Sequence, residues 1–171
     1  MNSLQGLLYG LSVAATPANL LAAFVGAFAG TAIENSMLGA AHSAANPLTA
    51  HYDIVHGLAV GMMLPHVIRF NAEDPTARRA YAELASAPEL ACVSEGEDYA
   101  TEVLVRHIES LLDLAHFPRS LAECGLKKAD IPKLADEAAS QWTAKFNPRT
   151  ISPADFRSLY ASALEPRNSQ A

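Results

Sequence analysis

AAHSAANPLTAHYDIVHG, residues 40–57, holds three of the chain's six histidines and one proline. How the backbone passes Pro47 decides where those imidazoles go. The residue before a proline resists the α region, so a helix ending at Asn46 is expected. Residues 47–55 then form a loop, and a new helix opens at His56. His42 and Asn46 are four apart and share one helix face. A loop of this length can fold back and set His56 beside His42. Neutral imidazoles placed so suit iron(II) or zinc, although such sites usually add a third protein ligand. The third ligand is hard to find nearby. Glu34 lies two helical turns before His42, about 12 Å along the axis. Asp53 sits in the loop, where carboxylates are usually solvated. On spacing alone, the favoured reading is His42 as a packed helix histidine and His56 as the cap of the next helix, with a metal site the lesser one.

Outward from this stretch, helix signals dominate and no strand period persists. A short helix over 4–14 stops near Pro17, and a long one runs from 18 to 45. After His56 a helix meets Pro65, which kinks it or joins two helices. Asp74 with Pro75 is an N-cap followed by a first-turn proline. Residues 97–115 repeat apolar side chains at helical spacing. A turn leads into a short helix closed by Gly125. Another helix, capped by Asp130, runs to about Ala144, and Ser152-Pro153 opens the last. The fold class is all-α, a bundle of about seven or eight helices in a single domain over residues 1–171.

Composition narrows function. Of 171 residues, 50% are hydrophobic and 18% charged, which suits a globular core. The net charge is −6 with no basic run, which argues against nucleic acid as a partner. Cys92 and Cys124 form no CxxC pair and read as reduced thiols of a cytoplasmic protein. The apolar run Leu20–Ile33 is too short to span a bilayer, so no membrane association is expected. Helices apolar all round must be covered, and in a chain this short the cover can be another chain. Met62 and Met63 read as core filler. His66 reads as helix packing, and Trp142 and Phe146 as core or interface.

The run GTAIENSMLGAAHSAANPLTAHYDIVHGLAVGMMLPHVIRFN, residues 30–71, resembles the signature of the iron-dependent (group III) alcohol dehydrogenases. FPRSLAECGLKKADIPKLADEA and NPRTISPADFRSLYASAL are similar to later parts of that family, so the likeness runs from about Ala18 to Leu164. It implies the helical C-terminal domain of the dehydroquinate synthase-like fold. By position it makes His42 and His56 two metal ligands for Fe(2+) or Zn(2+). The family completes the site with an aspartate and a further histidine from an earlier helix. The metal there polarises an alcohol or carbonyl oxygen while hydride passes to or from a nicotinamide. Asn46 stands where many members carry a proton-relay histidine; asparagine can only orient substrate or water by hydrogen bonding. Thr49 and Val55 stand where glycine and proline are common. His51 and Tyr52 would face the substrate cleft.

The glycine-rich nucleotide domain of that family has no counterpart in this chain. The resemblance therefore implies the metal-binding half of an alcohol dehydrogenase or an aldehyde or maleylacetate reductase, inactive on its own. The missing ligands and the NAD(P) site would lie upstream, on a partner chain or a lost domain, with a small alcohol or aldehyde as substrate. The alternative is a non-catalytic helical module, partnered or homo-oligomeric, with a vestigial site.

Overall fold

A computed structural model describes residue 16, residues 38–87 and residues 89–167. The chain divides into two compact units, residues 1–37 and 38–171. The expected helix at 4–14, most of the one at 18–45, the Leu20–Ile33 run and Glu34 lie outside the described residues. Everything below concerns the second unit.

Its described residues form six α-helices: α1 (Ala40–Tyr52), α2 (His56–Asn71), α3 (Pro75–Ser86), α4 (Glu97–Leu114), α5 (Ile131–Ser140) and α6 (Pro153–Leu164). Short 3₁₀ turns lie at Val93–Glu95, Lys128–Asp130 and Trp142–Phe146. No described helix is long and apolar enough to cross a membrane.

The main core is built by α1, α2, α5 and α6, around Leu48, Met63, Leu134, Phe156 and Tyr160. Met62 and Met63 are both core residues, as their sequence context implied. A second, smaller cluster joins α3 to α4 through Ala82, Ala85, Ala100 and Leu104. Local signals explain several boundaries. Asp74 accepts hydrogen bonds from the Thr76 and Ala77 amides at 2.9 and 3.0 Å, and Pro75 occupies the first turn where no amide is needed. Ser152 and Asp155 form a capping box at the start of α6.

Four boundaries depart from the sequence-based expectation. Leu38 and Gly39 are not helical, so the helix expected over 18–45 does not run unbroken into α1. The new start is capped from far away: Asn147 Oδ1 accepts the Ala40 amide at 3.2 Å. A side chain on Gly39 would crowd that oxygen, since a Cβ there would sit 3.2 Å from it. Second, α1 does not stop at Asn46. It passes through Pro47 and ends at Tyr52, where Asp53 adopts a left-handed conformation with φ 52°. Third, the segment after Phe117 forms successive turns closed by Gly125, at φ +85°, rather than a short helix. Fourth, α5 ends at Ser140, and Asp130 makes no side-chain cap. Its carboxylate instead accepts the Tyr52 hydroxyl at 2.6 Å.

The passage through Pro47 has a tertiary cause. Proline cannot donate to the Ser43 carbonyl and strains the turn before it, at a cost of about 3 kcal/mol. Pro47 and Leu48 are completely buried, so ending the helix there would expose core surface. The Tyr160 hydroxyl, from α6, donates to the Ala44 carbonyl at 2.7 Å and steadies the turn ahead of the proline. Ser43 and Thr143 hydroxyls meet at 2.6 Å on another flank of α1.

Pro65 likewise sits inside α2 without ending it. Four residues before it, Gly61 packs against Phe117, where an added Cβ would come within 2.8 Å of the ring and 3.2 Å of Leu112. Gly61→Val is therefore expected to lower stability by about 1–3 kcal/mol, read as a reduced midpoint in urea unfolding. An unchanged midpoint would mean that α2 and the Phe117 segment are not packed as described.

Candidate metal centre

His42 stands near the start of α1 and His56 opens α2. Along α1 the chain rises about 15 Å from His42 to Tyr52. Four Cα–Cα steps from Tyr52 to His56 reach at most about 14 Å. The linker Asp53–Val55 must therefore return by a short path, and Val55 is extended, with φ −52° and ψ 129°. The left-handed Asp53 reverses the chain, a conformation that aspartate tolerates better than most residues. The outcome is that the His42 and His56 rings lie 5.4 Å apart, centroid to centroid, tilted by 49°.

Neither ring hydrogen-bonds to any described residue. Burial pushes the His42 imidazole below its ordinary range, and the neighbouring His56 pushes it the same way. Both effects favour the neutral ring, the form with a free lone pair. As a donor set, two neighbouring imidazoles supply half the usual shell of a borderline divalent cation. Among the described residues no group of three or more His, Cys, Asp or Glu side chains converges to complete it.

The other residues singled out from sequence divide by helix face. Asn46 is offset from His42 by about 40° around α1, whereas His51 is offset by about 180° and Tyr52 by about 80° the other way. Asn46 donates through Nδ2 to Gln141 Oε1 at 3.0 Å. His51 Nε2 pairs with Glu137 at 2.7 Å, and Tyr52 donates to Asp130. The polar ends of His51 and Tyr52 thus hold α1 along α5, away from the His42 face. Gln141, Glu137 and Asp130 had no local signal, since they meet α1 from 78 to 95 positions away. Thr49 has a buried hydroxyl with no partner. Val55, beside His56, is 74% exposed, and Trp142 and Phe146 form an exposed edge-to-face pair rather than core. Both cysteines are free thiols.

Comparison with known proteins decides the family. Residues 12–164 match the C-terminal model of the Fe-containing alcohol dehydrogenase family. The chain belongs to the iron-containing alcohol dehydrogenases. It is 34% identical over 142 residues to 1-propanol dehydrogenase PduQ of Citrobacter freundii, an alignment covering 80% of this chain and 38% of that protein. It is 33% identical over 138 residues to the bifunctional aldehyde-alcohol dehydrogenase AdhE of Escherichia coli K12, covering 71% of this chain and 16% of the relative. Among solved structures, an alcohol dehydrogenase from Oenococcus oeni superposes with a TM-score of 0.71 at 28% identity, covering 79% of this chain and 35% of that one. The chain thus spans well under half the length of these relatives. The helical architecture agrees with the C-terminal domain of these dehydrogenases.

His66 lies outside this site and couples stability to pH. His66, on α2, bonds through Nδ1 to Ser162 Oγ at 2.9 Å and borders a groove of ≈ 560 Å³ between α2, α4 and the end of α6. Burial, helped by the Arg69 and Arg167 charges, pushes its imidazole down to about 4. The unfolded chain takes up this proton near pH 6.5, before the fold does. The neutral ring's contribution is thus complete above pH 6.5 and is lost as pH falls from 6.5 to 4. With one edge of the ring near solvent, about 2 kcal/mol is expected over that window. Urea titrations of wild type and His66→Gln at pH 7 and 4.5 would isolate it, because carboxylates such as Glu102 also titrate at the acid end. Equal losses in both proteins would refute the assignment.

Proposed function

We propose that this chain is the metal-binding helical part of an NAD(P)- and metal-dependent alcohol dehydrogenase or aldehyde or maleylacetate reductase, and that it is inactive alone. The observation that carries this reading is the approach of the His42 and His56 rings to 5.4 Å. His42 and His56 would hold Fe(2+) or Zn(2+), with the remaining ligands and the nicotinamide site supplied by a nucleotide-binding half. When bound, the metal would act as a Lewis acid on the oxygen of a small alcohol or aldehyde during hydride transfer. The chain's own residues prepare that step. Burial favours the unprotonated form of His42, the short Asp53–Val55 linker delivers His56 to it, and Asn46 stands one turn further along the same face. The absence of a basic run and the two free thiols support a cytoplasmic protein with no nucleic acid partner.

Cobalt(II), which reports its ligands by visible absorption, provides the test. The pure chain is expected to bind cobalt with imidazole ligation and to turn over no primary alcohol with NAD or NADP. Turnover by the chain alone would refute the dependence on a second half. Absence of cobalt binding would favour a second reading, a helical interaction module with a vestigial site. That reading draws support from the missing third donor among the described residues and from the exposed Trp142, Phe146 and Val55.

A further inference from the structure

We infer that Gln141 is a positioning residue that fixes the Asn46 amide, engaging one of its two N–H donors and leaving its carbonyl oxygen, a hydrogen-bond acceptor, unpartnered on the helix face of α1 shared with His42. The inference rests on reading His42 and His56 as ligands, but the geometry behind it is separate from theirs. It starts at the end of α5. The Gln141 amide N–H bonds to Ala138, three residues back, so the regular helical bond to the Glu137 carbonyl is not made. That freed carbonyl accepts the Gln141 side chain through Nε2 at 3.4 Å and the Ser140 hydroxyl at 2.7 Å.

A backbone carbonyl can only accept, so Gln141 has to turn its NH₂ end toward it. Its Oε1 is then the end that meets Asn46, at 3.0 Å. An oxygen in that place needs a donor, so Asn46 has to present Nδ2. Flipping Asn46 alone would set two amide oxygens against each other; flipping both would set Gln141 Oε1 against the Glu137 carbonyl. The two side chains thus form a head-to-tail relay whose sense is set by one backbone oxygen. Asn46 Oδ1 is left at the far end, with no partner among the described residues and not sealed from solvent.

The chemical consequence is selective. A histidine at this position could both give and take a proton. Asn46, held this way, accepts through Oδ1 from an alcohol hydroxyl or a water molecule, and of its two N–H donors one is spent on Gln141. Gln141 would act only through Asn46, without touching substrate.

The experiment uses the full 171-residue chain, labelled with ¹⁵N, in three forms: wild type, Gln141→Leu and Gln141→Glu. The readout is the side-chain amide resonance of Asn46. One of its two protons is expected to be shifted downfield and protected from exchange in the wild type. Gln141→Glu keeps an acceptor against Nδ2 but sets its other oxygen against the Glu137 carbonyl, so it is expected to weaken that signature without abolishing it. Gln141→Leu, similar in size but without an acceptor, is expected to lose it. A role in packing alone would give the reverse order, with leucine tolerated better than glutamate. A wild-type signature that is missing, or that survives in Gln141→Leu, overturns the inference. Cobalt(II) added to the same samples separates the two readings. Binding in all three forms supports the histidine pair. An intact Asn46 signature without cobalt binding would overturn the ligand assignment while leaving the amide orientation standing.

Discussion

Tyr160→Ala is expected to be the most destabilising single change in the described core, at about 4 kcal/mol. Tyr160 is fully buried, and its ring packs in the cluster shared by α1, α2, α5 and α6. Its hydroxyl also donates to the Ala44 carbonyl at 2.7 Å, just ahead of Pro47. The two contributions can be separated. Tyr160→Phe keeps the ring and leaves one buried carbonyl less well satisfied, for about 1–2 kcal/mol. Tyr160→Ala adds the lost ring contacts and a cavity. For a chain of this size, 1 kcal/mol moves the midpoint by about 2–4 °C, so the alanine variant should melt roughly 8–16 °C below wild type. Thermal unfolding followed by circular dichroism checks both. If the phenylalanine variant is as stable as wild type, the hydroxyl is not steadying the turn before the proline, and the continuity of α1 through Pro47 needs another cause.

The second large effect is on metal. His42→Ala or His56→Ala each removes one of two imidazoles from a half-shell, and each is expected to weaken cobalt(II) binding by at least about 100-fold. Loss of an outer partner of a ligand already costs about 10–100-fold, and loss of the ligand itself costs more. His51→Ala is the control. Its ring bonds to Glu137 on the opposite side of α1, so metal affinity should not change. Calorimetry or absorption titration of the three variants distinguishes the cases. Equal affinity in wild type, His42→Ala and His56→Ala would place the metal elsewhere and remove the basis for a redox role. The exposed His51–Glu137 pair is itself worth at most about 1 kcal/mol, so its loss should not disturb α1 enough to blur the comparison.

These outcomes bear on what makes the site work as a geometric object. Two imidazoles fourteen positions apart are brought together by a three-residue linker, because α1 runs six residues past the point where local preference would stop it. A longer loop with a shorter helix could also bring them near, but with less to hold them. Here α1 is tied to α5 and to the residues at its two ends by Asn46–Gln141, His51–Glu137 and Tyr52–Asp130. The ring pair is therefore anchored on two packed helices.

Much was legible in the residues themselves. Helical periodicity, with no persistent strand pattern, determined an all-α fold, and Asp74-Pro75 and Ser152-Pro153 determined where α3 and α6 begin, because those caps are satisfied within a few residues of chain. The residues around His42 and His56 pointed to the iron-dependent dehydrogenases. Tertiary structure alone decided the rest. It carried α1 through Pro47, since burial of Pro47 and Leu48 and a hydroxyl from Tyr160 outweigh a local backbone preference. It placed the start of α1 under Asn147, and it paired His51 with Glu137 and Tyr52 with Asp130. Each of those decisions depends on a partner some 78 to 116 residues away, and contacts at that separation leave no periodic or local trace in the sequence.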